Sequence, residues 1–496
     1  MTRRSCVIYA TGIACAHLLM AGIAPVLAQV SQTTTHRGLK EITLTEKSQV
    51  FESWKNPPSP VYVEYYFFNV TNPEEILAGE KASVKQIGPY TYREYRPREN
   101  ITFLENGTKV YAIEPKSYVF VPEKSVGDPE VDLVRTVNIP LVVVMNELNS
   151  YSFFLRSFVS MFTRKLGIEL FMTCTVHEIL WGFKDPILAK IHSMKPEVDE
   201  YFGLMRKKNG TREGEFVFYT GEKNYLDYGK IDTWNGLRQM SWWSSNQSNM
   251  INGTDGTLFH PLINRNELLY IFAADLCRSI HLAYVDDVKV KGIRAYRFVP
   301  PSDVLMSPTD NPNNAGFCVP AGDCLGTGVL KISVCRQGAP FVVSFPHFYQ
   351  ADPMYINAID GLSPNREEHE TYIDVQPTTG VPIRYCKRTQ LNIILKRVQG
   401  FPQTKFINYT IFPIMFVNKA ATIDDDAASK MRTLLSIQML EITTSMKHTK
   451  SMTVHISYFS LFYCSFSSYL DRQYRISVHL QGTFSTYKVH KSLTIV

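Results

Sequence analysis

The sequence predicts an α+β fold: a large antiparallel, β-rich body carrying one helical cap and tethered to a membrane by its N-terminus. Three observations carry this. Runs rich in β-branched and aromatic residues, such as Val61-Tyr62-Val63-Glu64-Tyr65-Tyr66-Phe67-Phe68, recur over most of the chain. Helical periodicity is confined to about residues 145–205. A long uncharged run follows two arginines at the N-terminus.

The β signals come first in the chain. From Pro60 to about Val137 the pattern is strand-like, with turn signals at Gly88-Pro89 and Asn106-Gly107. Asn-Gly recurs at Asn209, Asn235 and Asn252, each between apolar stretches, and supports the left-handed backbone of tight hairpins. Strand-rich sequence resumes at Gly214-Glu215-Phe216-Val217-Phe218-Tyr219 and runs to about Val417. No low-complexity linker interrupts it, which favours one continuous domain.

The cap reads differently. Glu147 to Leu166 contains no proline and sets Tyr151, Leu155, Val159 and Phe162 on one helical face, with Phe154 and Phe158 beside it. Two further helices are expected, from about Thr175 to Trp181 and from Pro186 to Met194, the latter opening on a proline suited to a first turn. Phe153, Phe154, Leu155, Phe158, Val159, Met161 and Phe162 cover more than one face, so part of this apolar surface is expected to bind a partner rather than pack.

The N-terminus sets the compartment. After Arg3 and Arg4, residues 6–30 are apolar and uncharged. A helix of that length reaches roughly 37 Å, enough to span a bilayer, and the arginines favour a cytoplasmic tail at residues 1–5. A cleaved signal peptide ending near Val26-Leu27-Ala28 is the alternative. Either reading delivers the body across a membrane. Asn-X-Ser/Thr sequons agree: they stand at Asn69, Asn100, Asn106, Asn209, Asn246, Asn252 and Asn408. Four of the nine cysteines, Cys277, Cys318, Cys324 and Cys335, fall in one stretch and read as disulfides, with three pairings open.

Composition excludes other classes. The chain has 496 residues, 45% apolar and 20% charged, with a net charge of +6, so it is neither disordered nor patterned to bind nucleic acid. No Gly-X-Ser-X-Gly elbow, phosphate loop or His-Glu-X-X-His is present, and Glu367-Glu368-His369-Glu370 reads as a charged loop. Neither enzymatic activity nor a cofactor or metal is expected.

At this point a resemblance enters. Phe67-Phe68-Asn69-Val70-Thr71-Asn72-Pro73-Glu74-Glu75, Gly88-Pro89-Tyr90-Thr91-Tyr92-Arg93, Trp234-Asn235-Gly236, Asn252-Gly253-Thr254-Asp255-Gly256, Asn314-Ala315-Gly316-Phe317-Cys318 and Phe345-Pro346-His347-Phe348 resemble the ectodomain of class B scavenger receptors. The likeness runs from the anchor to about Arg432, and is greatest to a lysosomal member. It implies a barrel-like body at residues 37–430 with a tunnel for sterol or phospholipid, topped by an apical helical bundle. It implies the pairs Cys277–Cys335 and Cys318–Cys324 and allows a homodimer. It implies carriage of lysosomal β-glucosidase to lysosomal or endosomal membranes by way of the endoplasmic reticulum, through Tyr151, Phe153, Phe154, Leu155, Phe158, Val159 and Phe162. The alternative is a scavenger receptor or lipid transporter for lipoprotein-like ligands. Two departures stand out. The lysosomal relative has a histidine before Phe-Leu-Arg, where this chain has Phe153, so pH-dependent release is expected to weaken here. Residues 437–496 lack the family's clear second span and its sorting tail.

Overall fold

The computed structural model describes residues 43–436; the expected N-terminal anchor and the divergent C-terminal tail lie outside them. Among the described residues no helix is long and apolar enough to cross a membrane. The described fold is essentially one compact unit, Glu41–Ser429.

Eleven strands form the continuous path of its fifteen-stranded main sheet: β1 (Val61–Val70), β2 (Ala82–Tyr95), β3 (Lys109–Phe120), β4 (Thr211–Tyr219), β5 (Ile231–Trp234), β6 (Leu269–Ala273), β7 (Arg278–Val290), β8 (Ile293–Val299), β9 (Tyr372–Val375), β10 (Pro382–Leu395) and β11 (Thr410–Thr422). Their spatial order is 5-4-3-2-1-11-10-9-8-7-6, with every neighbouring pair antiparallel. Consecutive strands are therefore neighbours, as in a meander, and β1 pairs with the last strand. The two edges, β5 and β6, are joined through Gly253 and Thr254. Ile231 N–H donates to Gly253 C=O at 2.9 Å, and Thr254 exchanges backbone bonds with Tyr270 and Phe272 on β6. The sheet is thus barrel-like and nearly closed, which leaves few unpaired edge groups.

Gly253 is required at this seam. Its φ is +84°, and a Cβ there would stand 1.9 Å from the Tyr270 carbonyl oxygen. So Asn252-Gly253 closes the barrel instead of turning a hairpin. Asn106-Gly107 and Asn235-Gly236 do turn tight, the latter with reciprocal bonds between Trp234 and Leu237. Gly88-Pro89, expected as a turn, lies inside β2 where the register with β1 slips between Tyr65 and Phe67. The strand continues because the bulge absorbs the irregularity without breaking the ladder.

The segment between β3 and β4 holds helices α1 (Ile139–Glu147), α2 (Phe153–Lys165), α3 (Val176–Trp181) and α4 (Pro186–Met194). Two short strand pairs, Leu133–Val137 with Phe171–Thr175 and Phe183–Lys184 with Tyr201–Phe202, lie among them. The single helix expected from Glu147 to Leu166 is broken. Leu148–Ser150 tightens to a 3-10 turn, Tyr151 is extended, and Ser152 caps a new helix by accepting from Leu155 N–H. A serine cap satisfies an orphan N–H that a continuous helix would bond internally. α3 starts on a capping box, Thr175 with Glu178. The core is shared: Val137, Leu141, Val176 and Leu180 of this segment pack in one buried cluster with Tyr65, Phe67, Phe412 and Phe416 of the sheet.

Candidate functional site

α2 is amphipathic in the reverse of the usual sense. Its buried residues are polar: Ser160 and Thr163 are closed to solvent, and the Thr163 hydroxyl donates to the Ser160 carbonyl at 2.9 Å. Its apolar residues face out. Phe154 is 84% exposed, Phe158 62% and Phe153 54%, and Met161 and Leu155 are also exposed. Tyr151, just before the helix, is exposed as well. Val159 and Phe162 are half-buried, and Val159 packs on the main core cluster.

The cause is close approach. α2 lies against the loop that follows β10. A Cβ on Gly400 would come within 2.8 Å of Arg156 Cβ, so only glycine fits opposite the helix there. Ser157, Ser160 and Thr163, spaced three apart, present small side chains to the body. The bulky residues are left on the outer surface. Leaving so many aromatics in water forgoes roughly 1.5–3 kcal/mol of burial each, so the arrangement stabilises the fold less than an inward-facing set would.

Beside the aromatics runs a groove of about 620 Å³ between α2 and residues 397–405. Phe153 and Met161 give it an apolar lip. Arg164, Lys165, Arg397 and Lys405 line it, and no carboxylate does. Arg164 and Lys165 also occupy the last turn of α2, where the helix carbonyls favour cations. Sequence reasoning missed these four. The signal available was a Ser/Thr stripe at helical spacing opposite a Gly-Phe-Pro loop flanked by basic residues. His177, weighed as a stand-in for the missing histidine, sits on α3 and pairs with Glu130 at 2.8 Å.

The other sequence-derived positions fall as follows. Disulfides join Cys277 to Cys335 and Cys318 to Cys324, spanning 58 and 6 residues. Cys174 and Cys386 are buried free thiols, and burial pushes them up to about 12 and about 11. They are inert at neutral pH. Asn100, Asn106, Asn209, Asn246 and Asn408 are exposed, while Asn69 and Asn252 are half-buried. Asn69 Oδ1 accepts from Arg135 N–H, and Asn209 Oδ1 from Tyr118 N–H. Among the described residues no cluster of His, Cys, Asp or Glu is arranged to hold a metal ion.

Comparison with known proteins fits this outline. The CD36 family model matches residues 13–464. Human Lysosome membrane protein 2 is 45% identical over 436 residues, which cover 88% of this chain and 90% of that one. Pig Scavenger receptor class B member 1 is 35% identical over 422 residues, 84% of this chain and 82% of that one. With an almost closed antiparallel sheet, a disulfide-tied stretch after β6 and family-wide similarity along nearly its whole length, the chain belongs to the CD36 family.

Proposed function

We propose that this protein is a membrane-tethered receptor that carries lysosomal β-glucosidase from the endoplasmic reticulum to lysosomal or endosomal membranes, holding it on α2. The inverted helix carries this reading. A surface that turns Tyr151, Phe153, Phe154, Leu155 and Phe158 to water while burying Ser160 and Thr163 is built for a partner. Val159 and Phe162, half-buried, brace the patch from below. The similarity to Lysosome membrane protein 2 supports the destination. The partner's matching face is apolar with an acidic border, because the groove beside the aromatics carries four cations. A sterol or phospholipid passing through the barrel interior is the second activity of this reading. The reading includes no catalysis.

The test is capture of lysosomal β-glucosidase by the full glycosylated chain at neutral pH, followed by co-transport in cells. No capture by well-folded protein would overturn it. The alternative, a scavenger receptor for lipoprotein-like particles, draws on the same basic groove and on the likeness to Scavenger receptor class B member 1. Retention of anionic lipid particles without the hydrolase would favour it.

A further inference from the structure

The two ends of the described segment lie at one end of the sheet. Val61, at the start of β1, pairs with Ala421 near the end of β11, and Ala421 pairs with Tyr385 near the start of β10. Leu44 N–H donates to the Thr220 carbonyl, just after β4, at 3.2 Å, and Asp424 N–H donates to Ser59 Oγ at 3.4 Å. The cap is at the opposite end, because Gly400, between β10 and β11, packs on Arg156 of α2. Residues 31–42 separate the first described residue, Thr43, from the uncharged run at 6–30. A link of that length reaches about 40 Å when fully extended.

Three loops are locked together at the end that holds Leu44. Phe259 N–H donates to the Gly380 carbonyl, and the Leu262 and Ile263 N–H groups donate to those of Thr378 and Pro377. Residues 259–263 therefore run along the turn between β9 and β10. That turn is itself fastened, since the N–H and the hydroxyl of Thr379 both donate to Gln376 Oε1, at 2.7 and 3.0 Å. The His260 ring meets the Tyr225 ring edge-on at 6.4 Å, which brings in the loop after β4. His260 Nε2 lies 3.1 Å from Glu267, which holds the segment leading into β6.

This fastened platform turns apolar side chains outward. Leu226, Leu262 and Leu268 are 43%, 44% and 47% exposed, and Tyr225 is exposed beside them. The backbone of Leu262 has a φ of +62°, in the left-handed region that leucine rarely adopts. A leucine that is both strained and in water contributes nothing to the fold, so its placement answers to something outside it. Lys223 and Arg265 are exposed next to these residues in the chain. Leucines with a tyrosine and long-stemmed cations beside them are the composition of segments that lie in a membrane interface. Neither loop carries a sequon. The exposed sequon at Asn106 stands beside Thr220, whose hydroxyl donates to the Gly107 carbonyl, and bounds the surface on that side.

We propose that this platform rests on the bilayer that tethers the chain, with Leu226, Leu262 and Leu268 inserted at the boundary between head groups and acyl chains and Tyr225 at the head-group level. The inference rests on the membrane-tethered reading and goes beyond it. A tether alone keeps the body near a membrane, whereas the platform fixes how the body stands on it, with the aromatics of α2 turned away from the lipid and toward a soluble partner.

The test reconstitutes the full chain in phosphatidylcholine vesicles as the parent and as Leu262→Trp, Leu226→Trp and Met354→Trp. Each is prepared in plain lipid and in lipid brominated near the head-group end or near the methyl end of its acyl chain. The parent's own tryptophans give the baseline. Loop reporters seated about 5–10 Å into the boundary should lose about half of their emission to the shallow bromines and far less to the deep ones. Met354 is exposed at the cap end, where nearby Ile359 pairs with Ala82 at the start of β2, and its reporter should lose none. Leu226→Trp stands in should the larger ring at 262 disturb the left-handed backbone. Equal emission from both loop reporters in plain and brominated lipid would overturn the proposal, and so would an equal loss at Met354. Loop reporters shielded from acrylamide yet untouched by bromine would reveal a protein on the platform, such as a second copy of this chain, and would overturn it as well. Alkaline extraction separates the two readings. Chain that resists alkali while its loop reporters ignore bromine keeps the tether and loses the platform. Chain that alkali releases, but that floats with vesicles at neutral pH with its reporters quenched, loses the tether and keeps the platform. Release by alkali without flotation at neutral pH would overturn both.

Discussion

Replacing Phe158 with aspartate should abolish hydrolase capture without unfolding the receptor. Phe158 is 62% exposed on the outer face of α2. A phenylalanine offers roughly 200 Å² of surface, so about 125 Å² is available to a partner, worth about 3 kcal/mol when covered. Losing it weakens binding about 150-fold. A carboxylate left in an apolar interface adds a desolvation cost of about 1–3 kcal/mol and takes the complex below detection in a pull-down. The receptor itself should barely respond, because an exposed side chain contributes within about 0.5 kcal/mol to folding. The assay is titration of lysosomal β-glucosidase onto immobilised receptor, with thermal melts alongside. A control at Met354, 64% exposed and far along the sequence, should bind as the parent does. Undiminished capture by Phe158→Asp, or a melting point lowered in step with binding, would refute the assignment of the interface to α2.

Other outcomes follow from buried groups and crosslinks. His347 stacks on His369 at 4.5 Å, accepts from Ser363 N–H through Nδ1 and donates to Gln86 Oε1 at 2.6 Å through Nε2. Burial, then the neighbouring His369, lowers it from 6.5 to about 4, so the neutral ring is the folded form. The unfolded chain takes up this proton first. Stability is therefore full above pH 6.5 and falls toward pH 4, by about 2 kcal/mol at pH 5, and His347→Gln should flatten that part of a melting-point profile. A profile unchanged by the substitution would remove His347 as the cause. Opening the 58-residue Cys277–Cys335 loop should cost about 4 kcal/mol, against about 2 for Cys318–Cys324, in urea melts of paired alanine variants. Equal losses would argue against a chain-entropy origin. Gly253→Ala should destabilise by about 3 kcal/mol or more, because the side chain collides with the β6 backbone at the seam. An unchanged midpoint would mean that the seam yields.

How much was legible in the sequence depended on the range of the interaction. The β-branched and aromatic run Val61-Tyr62-Val63-Glu64-Tyr65-Tyr66-Phe67-Phe68 places β1 correctly, because strand preference is written into adjacent residues. Pro186 and the Thr175–Glu178 pair mark helix starts for the same local reason. Gly88-Pro89 reads as a turn in isolation, and only the partner strand turns it into a bulge. The end of the first cap helix was misplaced because Ser152 competes as a cap, a preference that weak propensities cannot outvote.

The candidate site divides along the same line. Its aromatic residues were visible as an excess over what one helical face can bury. Which of them face water was not, since that depends on how α2 packs against the loop at Gly400, nearly 250 residues away. The four groove cations come from two separate segments, residues 164–165 and 397–405, and converge only when β10 returns the chain to the cap. What the sequence by itself determined was the β-rich class, the cysteine stretch that carries both disulfides, and the surplus of aromatics around residues 151–162. The tertiary structure alone decided which face of each strand points inward, because closing a sheet encloses one face and exposes the other, and no local pattern says which.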